Sequence, residues 1–429
     1  MWLLYDLLIH LYGDAISMAA MFNPKARAWV KGRRNLFAEL KLAVGSWQLA
    51  ESSHHSTLKT QNSKLEAVAW FHCASLGEFE QGRPVIEAFR KEHPDWKILL
   101  TFFSPSGFEI RKNYEGADWV FYLPLDTPGN AKKFVRMVNP SIVVFVKYEF
   151  WFRYLDVLYR KNIPVYVISA SFRASHHFFK WYGGWALKQL KKVTRFFVQD
   201  EPSAELLRAK GIKQVTVSGD TRFDRVAAVV SNPKAFPLIE QFASQMPIFL
   251  AGSTWPADEE LVLKLLETHS DRMRFIIAPH EVGEQRVDSL QLAVGSSALR
   301  FSELTEENVL EAKVLIIDGI GYLSHLYQYA TIAYIGGGFG TGIHNILEAA
   351  AFGKPVIFGP KYQKFREATE LIDSGGAFPI QTFHQLNNRT SELLENQEFC
   401  RKTSEICRNY VVDHRGATGI ILQSLVVSH

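Results

Sequence analysis

The segment Trp70-Phe-His-Cys-Ala-Ser-Leu-Gly-Glu-Phe79 leaves an apolar run through a short polar turn and puts Glu78 where a helix begins. Unpaired amides and the helix dipole hold a first-turn carboxylate ionised, which leaves it available as a base of reduced basicity. The same placement also serves as ordinary N-terminal helix decoration. Lys147-Tyr-Glu149 ends another apolar run, offering a second acid beside a base, and Arg173 follows the next run. Glu with Arg and Lys near an anion site suits transfer from an anionic donor to a hydroxyl acceptor.

The densest glycine cluster is Tyr334-Ile-Gly-Gly-Gly-Phe-Gly-Thr-Gly-Ile-His-Asn-Ile-Leu-Glu348. A dinucleotide fingerprint needs Gly-x-Gly-x-x-Gly. From Gly336 the last position is Thr341 and from Gly338 it is Ile343, so the fingerprint fails. A P-loop fails too, because Pro355 follows Gly353-Lys354. What remains is a strand, a glycine loop around Gly336, Gly337 and Gly338, and a helix expected to start near His344. Loop amides and a helix N-terminus bind phosphate without a metal. Glu348, four residues after His344, would share its helix face and suit a ribose diol. A tight strand–helix crossover with an exposed Glu is the competing account.

Ala251-Gly-Ser-Thr-Trp-Pro-Ala-Asp-Glu259 also follows an apolar run and opens a helix, placing the Ser253 and Thr254 hydroxyls beside free amides, as a simple N-cap also would. In Ile277-Ala-Pro-His-Glu281, His280 leaves a strand at the same expected sheet edge. Three such junctions in the C-terminal half favour a nucleotide site. Neither a cofactor nor a metal ion is expected, since His-Glu-x-x-His and Asp-x-Asp are both absent. The pairs His54-His55 and His176-His177 read as surface residues.

These residues need a scaffold. Residues 51–65 are Ser/His/Thr-rich and read as a loop. Beyond them, short β-branched or aromatic runs alternate with helical patterns, which predicts βαβ units and parallel sheets. The first series of strands is expected at 66–73, 97–102, 119–122, 141–147, 165–169, 195–198 and 214–218. The pattern loosens over 220–237. A second series is expected at 247–251, 274–278, 314–317, 331–335 and 355–358. Two such halves imply an α/β protein with two Rossmann-like parallel-sheet domains facing across a cleft. The expected divisions are 1–35, 36–225 and 226–429, with the last helix free to pack back on the N-terminal half.

The 429 residues, 47% hydrophobic and 21% charged, exclude a disordered, collagenous or polytopic membrane chain. Three cysteines are too few for a disulfide framework, and Cys73 reads as a buried filler. The net charge of 48 − 44 = +4 is too small for a dedicated nucleic-acid binder, so no nucleic-acid partner is expected. The charge is segregated, however. Residues 1–23 are rich in Leu, Ile, Met, Trp and Tyr, but Asp6, His10 and Asp14 interrupt them, so no spanning helix fits. Lys25, Arg27, Lys31, Arg33 and Arg34 follow, with no acidic residue between Asp14 and Glu39. An apolar helix backed by positive charge suits an anchor on an anionic membrane surface, or alternatively a helix packed on the protein's own core.

Taken together, several motifs resemble the 3-deoxy-D-manno-octulosonic acid (Kdo) transferases of lipopolysaccharide biosynthesis. They are Ala74-Ser-Leu-Gly-Glu78, Ser104-Pro-Ser-Gly107, Leu123-Pro-Leu-Asp126, Glu149-Phe-Trp151, Gly219-Asp-Thr-Arg-Phe-Asp224, Ser253-Thr254, Gly336-Gly-Gly338 and His344-Asn-Ile-Leu-Glu348 through Gly353-Lys-Pro355. The resemblance implies a GT-B fold and metal-independent, inverting transfer of Kdo from CMP-Kdo to the lipid A precursor at the cytoplasmic face of the inner membrane. It puts Glu78 on the catalytic base. It puts Ser253, Thr254, His280, Gly336, Gly337, Gly338, Asn345 and Glu348 at the CMP site and carries over Glu149, while Arg83, Lys147 and Arg173 are candidates, by their charge alone, for gripping the Kdo carboxylate. Two departures stand out: the usual Pro-Arg-His reads Ala278-Pro-His280, and Glu-x-Glu reads Lys147-Tyr-Glu149. Other GT-B glycosyltransferases, UDP-sugar epimerases and a non-catalytic lipid- or nucleotide-binding module are the alternatives.

Overall fold

A computed structural model of the chain describes residues 1–55, 67–244 and 246–425, without the side chains of residues 46–55. It contains two parallel seven-stranded sheets. The first comprises β1 (Val68–Cys73), β2 (Lys97–Phe102), β3 (Trp119–Tyr122), β4 (Ile142–Val146), β5 (Val165–Ala170), β6 (Arg195–Val198) and β7 (Val215–Val217). The second comprises β8 (Ile248–Thr254), β9 (Arg274–Pro279), β10 (Ala298–Arg300), β11 (Val314–Ile316), β12 (Ile332–Ile335), β13 (Val356–Phe358) and β14 (Ala377–Pro379). Their orders are β3-β2-β1-β4-β5-β6-β7 and β10-β11-β9-β8-β12-β13-β14. The chain divides into two compact units, residues 1–225 with 416–429, and residues 226–415.

The strands read as unbroken apolar runs because helices cover both sheet faces, leaving β1, β4 and β5 buried along their length. β10 and β14 were not expected from the sequence. Each has only three residues, too few to show a period. The supposedly loose 220–237 segment instead forms the helix Thr221–Ser231, and a second helix, Pro237–Ala243, follows. The Asp220 carboxylate accepts the Arg222 amide at 2.9 Å where the first of these begins. The expected loop at 51–65 is corrected in part: residues 51–55 close the helix Leu36–His55. Residues 56–65 lie outside the described residues, as do the side chains of His54 and His55.

In the first unit, the helix Leu76–Glu92 buries Phe79, Gly82, Val85, Ile86 and Phe89, the three-and-four spacing of a core-facing stripe. The final helix, Ala417–Ser424, adds Ile421 to the same cluster. Its start is held by Asp224, whose carboxylate accepts the amides of Gly416 and Thr418, both at 2.7 Å.

Residues 1–35 fold within the first unit. The helix Trp2–Ala19 turns its polar and aromatic side inward. Asp6 pairs with Arg153, Tyr5 donates to buried Asp126, and Trp2 packs edge-on against Trp185 at 5.0 Å. Leu3, Leu4, Leu7, Leu8 and Leu11 are left exposed, Leu3 at 87%. Of the basic residues behind it, Lys25, Arg27, Lys31 and Arg34 are exposed. Arg33 corrects the picture of a uniformly membrane-facing cluster. Its guanidinium turns inward, onto the main-chain oxygens of Phe103, Leu123 and Trp29. No helix among the described residues is long and apolar enough to cross a membrane.

Candidate active site

Each sheet reverses its winding beside its first strand, between β1 and β4 in one unit and between β8 and β12 in the other. Open α/β sheets bind ligands at the carboxyl ends of strands at such a switch. In the first unit Glu78 follows β1, Lys147 and Glu149 follow β4, and Arg173 follows β5. In the second, Ser253 and Thr254 end β8, His280 follows β9, and Gly336, Gly337 and Gly338 follow β12. Lys147 (φ +63°), Ser169 (φ +54°) and Ser253 (φ +54°) are three of the five non-glycine residues with left-handed backbone among the described residues. Such strain concentrates at ligand sites, where the surrounding structure holds it in place.

Glu78 is half-buried in the first turn of Leu76–Glu92, and the Ser75 hydroxyl donates to its carboxylate. Ser75 therefore orients the carboxylate instead of capping a backbone amide. Glu149 is held by the Trp151 indole, whose Nε1–H lies 2.9 Å from Glu149 Oε2 and 3.1 Å from His72 Nε2. An indole nitrogen only donates, so His72 Nε2 carries a lone pair and Nδ1 carries the proton. That proton is directed at Thr101, with Nδ1 3.1 Å from its main-chain oxygen. His72 is fully buried. Its apolar neighbours in the strand mask it in sequence, and Trp151 enters there only within the Glu149-Phe-Trp151 motif, so neither was named as a site residue. Arg173 is exposed. Arg83 is engaged with Glu87 at 2.6 Å.

In the second unit the glycines do different work from the amide cradle expected of them. Gly336 to Gly338 are buried. A Cβ on Gly336 would fall 2.2 Å from the Ser253 main-chain oxygen, so glycine there lets two strand ends meet. Gly337 needs its positive φ of 92°, and its amide donates to Asp258 at 2.8 Å, not to an open pocket. Asp258, almost fully buried, also accepts the Trp255 amide at 2.9 Å and the Tyr334 hydroxyl at 2.8 Å. The protein's own carboxylate thus occupies the anion position that the glycine pattern advertised. The Thr254 hydroxyl is likewise taken, donating to Glu259 at 2.8 Å instead of facing helix amides. Ser253 is half-buried beside it.

The helix expected from His344 starts three residues later, as Leu347–Ala351. The Asn345 side chain sets that start, accepting the Leu347 amide at 3.2 Å and donating to Glu348 at 3.1 Å. Glu348 is therefore a first-turn residue tied to Asn345, with no helical relation to His344. His344 instead joins an aromatic stack. Its ring lies 4.4 Å from His280, which lies 4.8 Å from Trp255, and Trp255 Nε1 donates to His344 Nε2 at 3.1 Å. Burial, then the neighbouring His280, lowers the His344 pKa, which favours the neutral ring that accepts this bond. Trp255 and His344 were absent from the site expected from sequence. The run Trp255-Pro256 at a helix start was the available signal.

What these parts can do chemically is hold a flat ring against exposed aromatics in one unit and offer an oriented carboxylate in the other. Two parallel seven-stranded α/β units are the architecture of the GT-B fold. A UDP-GlcNAc 2-epimerase from Neisseria meningitidis has this fold, at 17% identity and TM-score 0.57, over 84% of this chain and 99% of its own. The family described as 3-deoxy-D-manno-octulosonic-acid transferase (kdotransferase) matches residues 48–225. A 3-deoxy-D-manno-octulosonic acid transferase of Aquifex aeolicus is 28% identical over 345 residues, 78% of this chain and 88% of that one. One from Haemophilus influenzae is 25% identical over 370 residues, covering 83% and 86%. Over most of its length the chain is therefore similar to Kdo transferases.

Proposed function

We propose that the protein transfers Kdo from CMP-Kdo to a hydroxyl of the lipid A precursor, with inversion and without a metal ion. Glu78 takes the proton from the acceptor hydroxyl as its oxygen bonds to the anomeric carbon, and the bond to CMP breaks with both electrons going to CMP. The observation that carries this reading is the oriented Glu78–Ser75 pair at the first unit's switch point, in the motif where the family resemblance puts the base. Glu149, Lys147 and Arg173 are the acceptor-side candidates. On the donor side, Ser253 and His280 lie near the phosphate and base, with Asn345 and Glu348 on the ribose. Gly336, Gly337, Gly338 and Thr254 shape the site through packing and internal hydrogen bonds.

The exposed leucines of Trp2–Ala19, with Phe22 86% exposed beyond them, support peripheral binding to an anionic membrane on the cytoplasmic side, where a lipid acceptor would be met. Incubating purified protein and a tetra-acylated lipid A precursor with CMP-Kdo or UDP-sugars tests the function. CMP release with a Kdo-mass increment on the lipid is expected. UDP release or sugar epimerisation would replace the reading with another GT-B activity.

A further inference from the structure

The helices Pro128–Val138 and Phe152–Arg160 pack together in the first unit and leave a concavity of about 350 Å³. Gly129, Lys132, Lys133, Arg136, Val157 and Lys161 line it. Four cations converge there and, among the described residues, no carboxylate lines the site. Among the described residues, none of the four is in an ion pair. Lys133 instead lies 4.3 Å over the Phe37 ring. Like charges gathered without counter-ions repel, and the arrangement is relieved by an anionic ligand.

Its position says which anion. Arg153 and Val157 fall four residues apart on one stripe of the helix Phe152–Arg160, and Lys161 is its C-cap. Arg153 is the residue clamped by Asp6 and covered by Trp2 at 3.9 Å, so the concavity begins about one helical turn from the docked N-terminal helix. At that helix's start Trp185 packs against Trp2, Tyr5 and Phe152, and the loop before Trp185 holds Trp181 at 95% and Tyr182 at 59% exposure. Tyr and Trp at such positions sit at the headgroup level of a bilayer. The stretch between Asp156 and Asp200 contains no acidic residue.

We propose that the Lys132, Lys133, Arg136 and Lys161 concavity binds the phosphate headgroup of an anionic phospholipid in the bilayer against which the N-terminal leucines rest. The proposal depends on the membrane reading above, and its test keeps the two apart. Flotation of the full chain with vesicles of phosphatidylcholine, or of phosphatidylcholine with phosphatidylglycerol, is compared for three proteins. These are wild type, a K132Q/K133Q/R136Q/K161Q variant, and an L4S/L7S/L11S variant. The charge variant, with an unchanged melting temperature, is expected to keep wild-type binding to phosphatidylcholine and to have its preference for phosphatidylglycerol reduced by on the order of a hundredfold, the exposed Lys25, Arg27, Lys31 and Arg34 keeping a residual one. Replacing the three lysines with arginine should retain the preference. An unchanged preference in the charge variant would overturn the headgroup site. Full binding of the leucine variant to phosphatidylcholine would instead refute the membrane reading.

Discussion

Arg33 donates to the main-chain oxygen of Phe103 at 2.7 Å while its guanidinium lies 4.9 Å over the Phe103 ring. Phe103 in turn packs 4.5 Å from Trp151, the residue that holds Glu149 and His72. The N-terminal segment therefore reaches the candidate acceptor site through two rings. Burial lowers the Arg33 pKa to about 9, which still leaves a cation at neutral pH.

Replacing Arg33 by Leu leaves the main-chain oxygens of Phe103, Leu123 and Trp29 without this partner. The expected loss is about 2–3 kcal/mol of first-unit stability, read from the urea midpoint. Arg33→Lys should recover little of it, because one ammonium cannot reproduce the planar fork that reaches three carbonyls and faces three rings.

Glu78→Gln keeps the shape and can still accept from Ser75, but cannot take a proton from the acceptor hydroxyl. Turnover should fall about 100-fold or more with CMP affinity nearly unchanged, measured by CMP release and by calorimetry. Near-normal turnover would remove Glu78 from the mechanism.

If the stacked rings receive the nucleotide base, Trp255→Ala should weaken CMP binding by about 1–3 kcal/mol, five- to over a hundredfold in Kd. His280→Ala should weaken it in the same direction. Unaltered titrations for both would move the base elsewhere in the second unit.

Asp258→Ala strips the Gly337 and Trp255 amides and the Tyr334 hydroxyl of a shared buried acceptor. Second-unit stability should fall by about 3 kcal/mol or more, and Asp258→Asn should recover part of it. Hydrogen exchange at Gly337 and Trp255 is the direct readout.

Asp126 gives a pH signature. Burial raises its pKa to about 6 against hydrogen bonds from Tyr5 and from the Arg153 and Tyr154 amides, which lower it. The folded state therefore binds more protons than the unfolded state between about pH 4 and 6. Stability contributed by this group is present below the unfolded value and is lost as pH rises through 6. Asp126→Asn should flatten the dependence of the unfolding midpoint across that window.

Much of the scaffold was legible because strands covered on both faces must be apolar throughout, and helices between them must carry a three-and-four stripe. Lys97–Phe102 and Trp119–Tyr122 have the bounds read from sequence, whereas β10 and β14 are too short to display any period. The residues following β1, β4, β8, β9 and β12 could be singled out, since polar groups and glycines after an apolar run mark strand ends. Their partners could not. His72 and Trp151 are far from Glu149 or hidden among apolar neighbours in sequence, and only parallel pairing of β1 with β4, His72 against Phe145, brings them together.

The amino-acid sequence by itself determined the parallel α/β class, the chemical types at the strand ends and the concentration of positive charge behind an apolar N-terminus. Tertiary structure decided what each of those groups faces. It turned Arg33 inward, filled the glycine loop's anion position with Asp258, and tied Glu348 to Asn345. It also gathered Lys132, Lys133, Arg136 and Lys161 around one concavity. Periodicity and turn chemistry act over a few residues and can be read along a chain. Hydrogen-bond satisfaction and charge neutralisation act through space, between groups whose separation along the chain carries no information about their contact.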